Sequence, residues 1–359
     1  MKDIDHNYLT KQYELTNELP INHNYLSQQF EDSEEVIDEI RKLVARGDFT
    51  LGNAVNEFEG EFKKIANSKY AIGVGSGTDA LFLSLKALGI KEGDEVITTP
   101  YTFYATIGAI VTAGATPKFV DIGDDYNIDP NLIEDSITPL TKAIVPVHWS
   151  GLICDMDSIR DIADRHKLSI VEDACHAINA KRNDKTAGSI GDTACFSMHP
   201  LKNLNVWGDG GVIVTNNKEL HDKLVLLRNH GLRDRDTCDV FAYNSRLDTL
   251  QAIVGNHYIK KVDHITNMRI KNAHFYDKEF SALPQIKIPP RSSTIKQVFH
   301  LYCIRVSSRD DLQKYLIDNG IDAKVHYPTP MHLQPAAKDF GYSAGDFPFA
   351  ENVCKEVLS

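Results

Sequence analysis

Cysteine is scarce and scattered in this chain. The six residues Cys154, Cys175, Cys195, Cys238, Cys303 and Cys354 make no Cys-x-x-Cys pair and no zinc spacing. A disulfide framework and a structural zinc site are therefore excluded as the basis of the fold, and the usage is that of a reduced, cytoplasmic protein. Long apolar runs are also missing, so no segment reads as a bilayer span. The opening MKDIDHNYLTKQYEL is polar and has no apolar signal core. No block of Lys and Arg occurs, and 39 basic against 50 acidic residues give a formal net charge of −11. That balance argues against nucleic acid and membrane surfaces as partners. It does not argue against a small anion, which a few local donors can hold inside an acidic protein.

What is present is ordinary for a folded domain. The 359 residues are 42% apolar and 25% charged, enough for a sizeable core and a prior of two domains, or a large domain with a smaller lobe. Residues 1–30 are polar and without period, and read as an N-terminal arm. From Ser33 the pattern changes: Val36, Ile37, Ile40, Leu43 and Val44 recur at helical spacing behind an acidic start signal. Short β-rich runs then alternate with helical stretches. Strands are expected at residues 70–74, 95–99, 116–120, 143–147, 169–172, 194–197 and 211–215, and one long helix over 247–272. Such alternation implies an α/β fold with a mostly parallel sheet covered on both faces. The tail, from about residue 280, alternates again and reads as a smaller α/β lobe. The expected division is 31–255 for the large domain and 256–359 for the small one.

Three segments carry chemistry. The first is Gly75-Ser76-Gly77-Thr78, between a strand and a helix. Glycines allow close approach, and a helix N-terminus offers free N–H groups to a phosphate. An ordinary tight turn with Thr78 as helix cap fits equally well. Neither the Walker nor the Rossmann glycine pattern is present. The second is Ile170-Val-Glu-Asp-Ala174, an acidic pair at the carboxyl end of a strand, where open α/β sheets bind ligands. A carboxylate there could keep a pyridinium nitrogen protonated, bind a metal, or cap a turn. No further ligand stands nearby at metal spacing, so no metal is expected. The third runs from Cys195 to Gly211 and sets Lys202 in a short loop ahead of a glycine-rich turn. A lysine held there can lose its proton and act as a Schiff-base nucleophile and proton carrier. Taken singly, each segment has a bland explanation as turn, cap or solvated loop.

Their order and spacing are more specific. Phosphate loop, aromatic turn, Glu-Asp and Ser-x4-Lys resemble the sugar aminotransferase family of the DegT, DnrJ, EryC and StrS group, a branch of the fold type I pyridoxal-phosphate enzymes. The resemblance extends from about Leu51 to Ser359. It takes in Glu57-Phe58-Glu59, residues 114–121, Val145-Pro-Val-His148, Arg228-Asn-His-Gly231, Tyr243-Asn-Ser-Arg-Leu247, residues 325–332 and Gly345-Asp-Phe-Pro348.

The resemblance implies a three-layer α/β/α large domain like that of aspartate aminotransferase, with a smaller C-terminal α/β domain. It implies pyridoxal 5'-phosphate as cofactor, cycling through pyridoxamine 5'-phosphate. Lys202 would hold it covalently and shuttle protons. Asp173 would pair with the ring nitrogen, and Phe103 would stack on the ring. Ser76, Gly77, Thr78 and Ser197 would hold the phosphate, and His176 would stand near the phenolic oxygen. Asn244 would reach the phosphate from the neighbouring subunit, which implies a homodimer with shared active sites. Trp207, His326, Tyr327 and His332 are the candidates for sugar contact.

The implied reaction is ping-pong amine transfer, from glutamate or glutamine to a keto sugar. The acceptor is a nucleotide-linked keto hexose or an oxidised octulosonate of the Kdo type. The run His199-Pro-Leu-Lys202 resembles that of members serving lipopolysaccharide and other surface-polysaccharide pathways. Two other readings are a sugar dehydratase, which carries histidine in place of the lysine, and a non-catalytic cofactor-binding regulator. The sequence also departs from the family in places. Gly208-Asp-Gly-Gly211 stands where many members have Gly-Glu-Gly-Gly, and Cys175 stands in place of an alanine.

Overall fold

The structure, a computed structural model, describes residues 21–359. Most of the expected N-terminal arm, residues 1–20, lies outside the described residues. The chain enters through a short helical turn, α1 (Leu26–Gln29), then α2 (Glu34–Arg46) and α3 (Asn53–Ile65). In α2, Glu34 and Glu35 occupy the first turn and Arg46 the last, each favourable to the helix dipole. Gly47 closes the helix in the left-handed region, at φ 73°. Val36 and Leu43 are buried, whereas Val44 is 60% exposed. The inward face is therefore narrower than the sequence pattern suggests.

The central sheet takes its strands from along the whole first two-thirds of the chain. They are β1 (Tyr70–Val74), β2 (Glu95–Thr98), β3 (Thr116–Phe119), β4 (Thr141–Ile144), β5 (Ser169–Asp173), β8 (Thr193–Ser197) and β9 (Gly211–Thr215). Two short strands, β6 (Lys181–Arg182) and β7 (Lys185–Thr186), form a hairpin aside from the sheet. The spatial order is β1-β9-β8-β5-β4-β2-β3. Only β9 opposes the rest: it is antiparallel to both β1 and β8, and the remaining pairs are parallel.

Side-chain alternation along the strands feeds two cores. Ala71, Ile170, Ala194, Phe196, Val212 and Val214 join Val55, Phe58, Phe62, Ile159 and Val254 on one face. Ile72, Val74, Val171, Cys195 and Ile213 join Leu81, Leu83, Leu85, Ile110 and Leu224 on the other. Helices α2, α3, α6 (Met156–His166) and α8 (Thr249–Tyr258) thus cover one face. Helices α4 (Gly77–Ala87), α5 (Tyr104–Thr112) and α7 (Lys218–Leu227) cover the other. This is the expected three-layer α/β/α arrangement.

The helix expected over 247–272 is two helices. After α8 a 3-10 turn, Ile259–Lys261, leads into α9 (Val262–Phe280). Ile259 and Val262 are both buried, so the helical pattern is interrupted at a point held by tertiary packing. The tail contributes β10 (Ile295–Lys296), β11 (Ile304–Arg305), α10 (Arg309–Asp318), α11 (Pro348–Glu356) and β12 (Val357–Leu358). Its core is not separate. Leu301, Cys303, Met331, Phe347 and Val353 pack with Tyr101, Phe119 and Trp149 of the sheet domain. The tail is thereby fixed over the carboxyl ends of the central strands.

Candidate active site

The phosphate-loop segment is a helix start. Ser76 is extended and caps α4, its Oγ accepting from the Asp79 N–H at 3.0 Å. The cap is Ser76, not Thr78, which lies in the first turn. Because Ser76 Oγ accepts in the cap, its own proton is free to donate outward. The N–H groups of Gly77 and Thr78 fall where a helix has no carbonyl to offer them. Gly77 is needed for contact: a Cβ there would stand 2.7 Å from the Cβ of Ser197 and 3.1 Å from Cys175 Sγ. The helix start, Ser197 at the end of β8 and Cys175 after β5 thus form one cradle of donors at the positive end of a helix.

The cradle is braced from behind. Ser245 Oγ donates to Asp79 at 2.8 Å and accepts from the Gly75 N–H at 3.3 Å. Arg228 donates to the Gly73 carbonyl at 2.9 Å and to the Glu59 carboxylate, which in turn accepts from the Gly73 N–H at 2.7 Å. These bonds account for the clustering of Glu59, Arg228 and Ser245 among the motifs. Asn244, beside Ser245, is exposed.

The acidic pair divides its labour because neighbouring strand residues face opposite ways. Glu172 is fully buried on the structural side. It bonds His148 Nε2 at 2.9 Å and accepts the N–H groups of Gly188 and Ile190 at 2.8 and 2.9 Å, with Gly191 as a further donor. Burial alone would push this carboxyl up, but the His148 contact and the glycine N–H bonds outweigh it and hold it below the usual range. Asp173 faces the ligand side. Its Oδ2 accepts from Thr106 at 2.8 Å and its Oδ1 from the Cys175 N–H at 3.2 Å. Thr106 and Thr102 hydroxyls are 2.7 Å apart, so the turn that carries Phe103 is tied to Asp173.

Lys202 sits in the loop between β8 and β9, which folds back on itself. Met198 N–H bonds the Gly210 carbonyl at 2.8 Å, Val206 N–H the Met198 carbonyl at 2.9 Å, and Lys202 N–H the His199 carbonyl at 2.8 Å. Asn203 pins the loop to the Val298 carbonyl at 2.9 Å. Burial lowers the pKa of the Lys202 ammonium against the opposing pull of Cys175 and Asp173. A lysine so placed gives up its proton more readily than a surface lysine.

Around it lies a patch of neutral imidazoles. His176 and His300 have ring centroids 4.3 Å apart, and Trp149 packs on His176 at 5.4 Å. Burial first, and the Lys202 charge second, hold both histidines well below the ordinary value. His326 is pulled down to about 4, again mainly by burial. The Nδ1 atoms of His176 and His300 are buried and have no partner among the described residues. Phe103 is 48% exposed and approaches Tyr327 at 5.9 Å. Tyr327 also touches Trp149 at 5.4 Å, and burial keeps its phenol protonated.

The sequence-predicted residues Ser76, Gly77, Thr78, Phe103, Asp173, His176, Ser197, Lys202, His326 and Tyr327 therefore converge. Two do not. His332 is 3% exposed and paired with Glu351 at 3.1 Å, packed between Phe119 and Phe347 in the shared core. Trp207, in the lysine loop, packs edge-on against Phe30 at 6.1 Å. Both are packing residues, and the sugar contacts expected of them are withdrawn. Thr106, Trp149 and His300 were missed, because a lone threonine or aromatic carries no local signal until the fold brings it to Asp173 or His176.

The residues fit a pyridoxal phosphate. The cradle suits its phosphate, Asp173 its ring nitrogen, the exposed face of Phe103 its flat ring, and the orphaned Nδ1 of His176 its phenolic oxygen. Comparison with known proteins agrees. The DegT/DnrJ/EryC1/StrS aminotransferase family matches residues 31–359. The chain belongs to that family. It is a pyridoxal-phosphate-dependent sugar transaminase.

Among its relatives is a "pleiotropic regulatory protein" of Geobacillus stearothermophilus, 42% identical, with 90% of this chain and 88% of the relative covered. Another is the dTDP-3-amino-3,4,6-trideoxy-alpha-D-glucose transaminase of Streptomyces venezuelae, 40% identical, with 89% and 85% covered. Among solved structures, that of S. venezuelae DesV in complex with a ketimine intermediate superposes with a TM-score of 0.91 at 39% identity, over 95% of this chain and 92% of that one.

Proposed function

We propose that this transaminase moves an amino group from glutamate to the ketone of a nucleotide-linked hexose, at C3. The observation that carries the reading is Lys202, half-buried, its ammonium pKa lowered by desolvation, and near enough to Asp173 and His176 for their charges to interact. The Streptomyces venezuelae relative, a transaminase named for a dTDP-linked 3-amino sugar, supports the acceptor class and the position.

The cofactor, when bound, supplies an exchangeable amine carrier and an electron-poor ring. This chain's residues do the rest. Asp173, already bonded to Thr106 and the Cys175 N–H, keeps a carboxylate directed at the ring nitrogen and favours its protonated form. Neutral Lys202 Nζ would take up the proton that leaves the donor's carbon and would hand one to the acceptor's carbon in the other half of the exchange. Phe103 and Tyr327 shield that proton from water on one side, and Trp149 backs His176 on the other. Neutral imidazoles near the lysine suit a sugar, because each offers one donor and one acceptor without competing for the proton.

The site is further proposed to be completed in a homodimer, with Asn244 of each chain reaching the phosphate of its neighbour. The exposure of Asn244 beside the Ser245 brace supports this. A product destined for surface polysaccharide is supported by the His199-Pro-Leu-Lys202 run.

The test is amine transfer from 15N-glutamate to a panel of dTDP- and UDP-linked 3-keto and 4-keto hexoses, with the oxidised octulosonate included, followed by mass spectrometry. Labelled 3-amino nucleotide sugar is the expected product. Label in the 4-amino sugar or the octulosonate alone would overturn the proposed acceptor.

A further inference from the structure

The family match begins at residue 31, yet residues 21–30 are tied to the small lobe and to the lysine loop. Ile21 adds to the small lobe as a parallel bridge with Ile321. Its N–H bonds the Gly320 carbonyl at 3.0 Å, and its carbonyl accepts from Asp322 at 2.9 Å. At the other end of the segment, Gln29 Nε2 donates to Asn205 Oδ1 at 3.1 Å. Phe30 packs on Trp207 and on Tyr258, at 6.1 and 5.3 Å. Asn205 and Trp207 belong to the Lys202 loop. Residues 21–30 therefore form a strap from the small lobe to the lysine loop.

In the middle of the strap, His23 lies flat on His326, with centroids 5.5 Å apart and planes inclined by 23°. His326 is fixed behind it, Nδ1 to Ser359 Oγ at 2.8 Å and carbonyl to the Tyr101 hydroxyl at 2.6 Å. His326 is near enough to Lys202 for the ammonium to depress its pKa, and Tyr327, the next residue, reaches Phe103. His23 extends this wall outward. Asp322, Lys324 and Arg269 surround it, and burial keeps its imidazole below the ordinary value. A neutral imidazole presents one N–H and one bare nitrogen, a pair matched to a sugar hydroxyl. Such a group, at the mouth and away from Lys202, can read the acceptor without touching the chemistry.

We infer that the strap of residues 21–30 is the outer wall of the acceptor pocket, and that His23 is a specificity-determining residue that hydrogen-bonds the acceptor sugar. The inference rests on the sugar-acceptor reading above. Glutamate, much smaller than a nucleotide sugar, does not reach His23.

The experiment compares wild type, His23→Ala and His23→Phe in two half-reactions read from the cofactor spectrum. One uses glutamate. The other runs a dTDP-linked 3-amino hexose backward onto the same resting form. His23→Phe keeps the flat contact with His326 and removes the ring nitrogens. Both variants should keep the glutamate rate within about twofold and lose about tenfold or more in kcat/KM for the amino sugar, chiefly through KM. An unchanged amino-sugar reaction in either variant overturns the hydrogen-bonding role. A parallel fall of both half-reactions overturns it too, by reducing the strap to a brace. If the wild type answers glutamate but no nucleotide amino sugar, the acceptor reading fails first. The amino octulosonate then replaces the amino sugar, and the same two outcomes judge His23.

Discussion

The hydroxyl of Thr106 donates to Oδ2 of Asp173 at 2.8 Å, joining the first turn of α5 to the end of β5. The same turn begins with Phe103, so the residue proposed to stack on the cofactor ring and the one proposed to hold its nitrogen are set by one bond. Thr106→Val should keep the fold, at a cost of about 1 kcal/mol, and lower kcat about tenfold. Asp173→Asn should cost at least about a hundredfold. Steady-state kinetics beside thermal melts check both. An equal kcat for Thr106→Val and wild type would show that Asp173 needs no brace.

Lys202→Ala should bind cofactor without the long-wavelength band of the lysine-linked form. Amine exchange should fall more than about a thousandfold. The absorption spectrum of the purified variant, before and after glutamate, is the measurement.

Gly77→Ala places a methyl group 2.7 Å from the Cβ of Ser197, closer than real side chains approach, and tightly against Cys175. The cradle must open, and cofactor affinity should fall about tenfold or more. Titration of the apoenzyme with pyridoxal phosphate reads this directly. Lys202 and Asp173 chemistry, measured at saturating cofactor, should be much less affected.

Stability should fall in mild acid. His176, His300 and His326 are all held below the ordinary value of 6.5, His326 at about 4. Between 6.5 and the folded values the unfolded chain binds more protons than the folded one. Stability is therefore complete above 6.5 and is lost as pH falls toward 4. His326 alone accounts for up to about 3 kcal/mol over that range. Urea midpoints of the apoenzyme at pH 7.5, 6 and 5 should decline in order, and His326→Gln should flatten the decline.

If Asn244 completes the neighbour's site, Lys202→Ala and Asn244→Ala subunits should complement. Each homodimer would be impaired, whereas a mixed dimer contains one site with both wild-type residues. Activity should return on mixing and re-forming dimers. No recovery would place Asn244 outside the neighbouring site.

Much of this arrangement was legible in the sequence, because the cofactor's needs fall on local segments. A strand ending in Gly75-Ser-Gly-Thr78 and a lysine in a short loop between strands announce themselves by pattern. The layered sheet was legible for the same reason, and β9 at Gly211–Thr215 was expected with the right bounds. What was not legible depends on contacts between distant segments. Glu172 and Asp173 look alike in sequence, and only strand alternation sends one to His148 and the other to the ligand. His332 and Trp207 looked like site residues, but a partner carboxylate at Glu351 and a ring at Phe30 claim them for packing. The interruption at Ile259–Lys261 is held by burial, which helical periodicity does not encode.

The antiparallel pairing of β1 with β9 has a consequence for how the enzyme matures. Ser76 follows β1 and the lysine loop leads into β9, so the cradle for the phosphate and the lysine come into register only when these two remote strands zip together. A chain in which these two strands are parted has nowhere to put the cofactor. A cofactor that binds only the zipped sheet stabilises it, so vitamin supply acts on the folding equilibrium of this protein as well as on its catalysis.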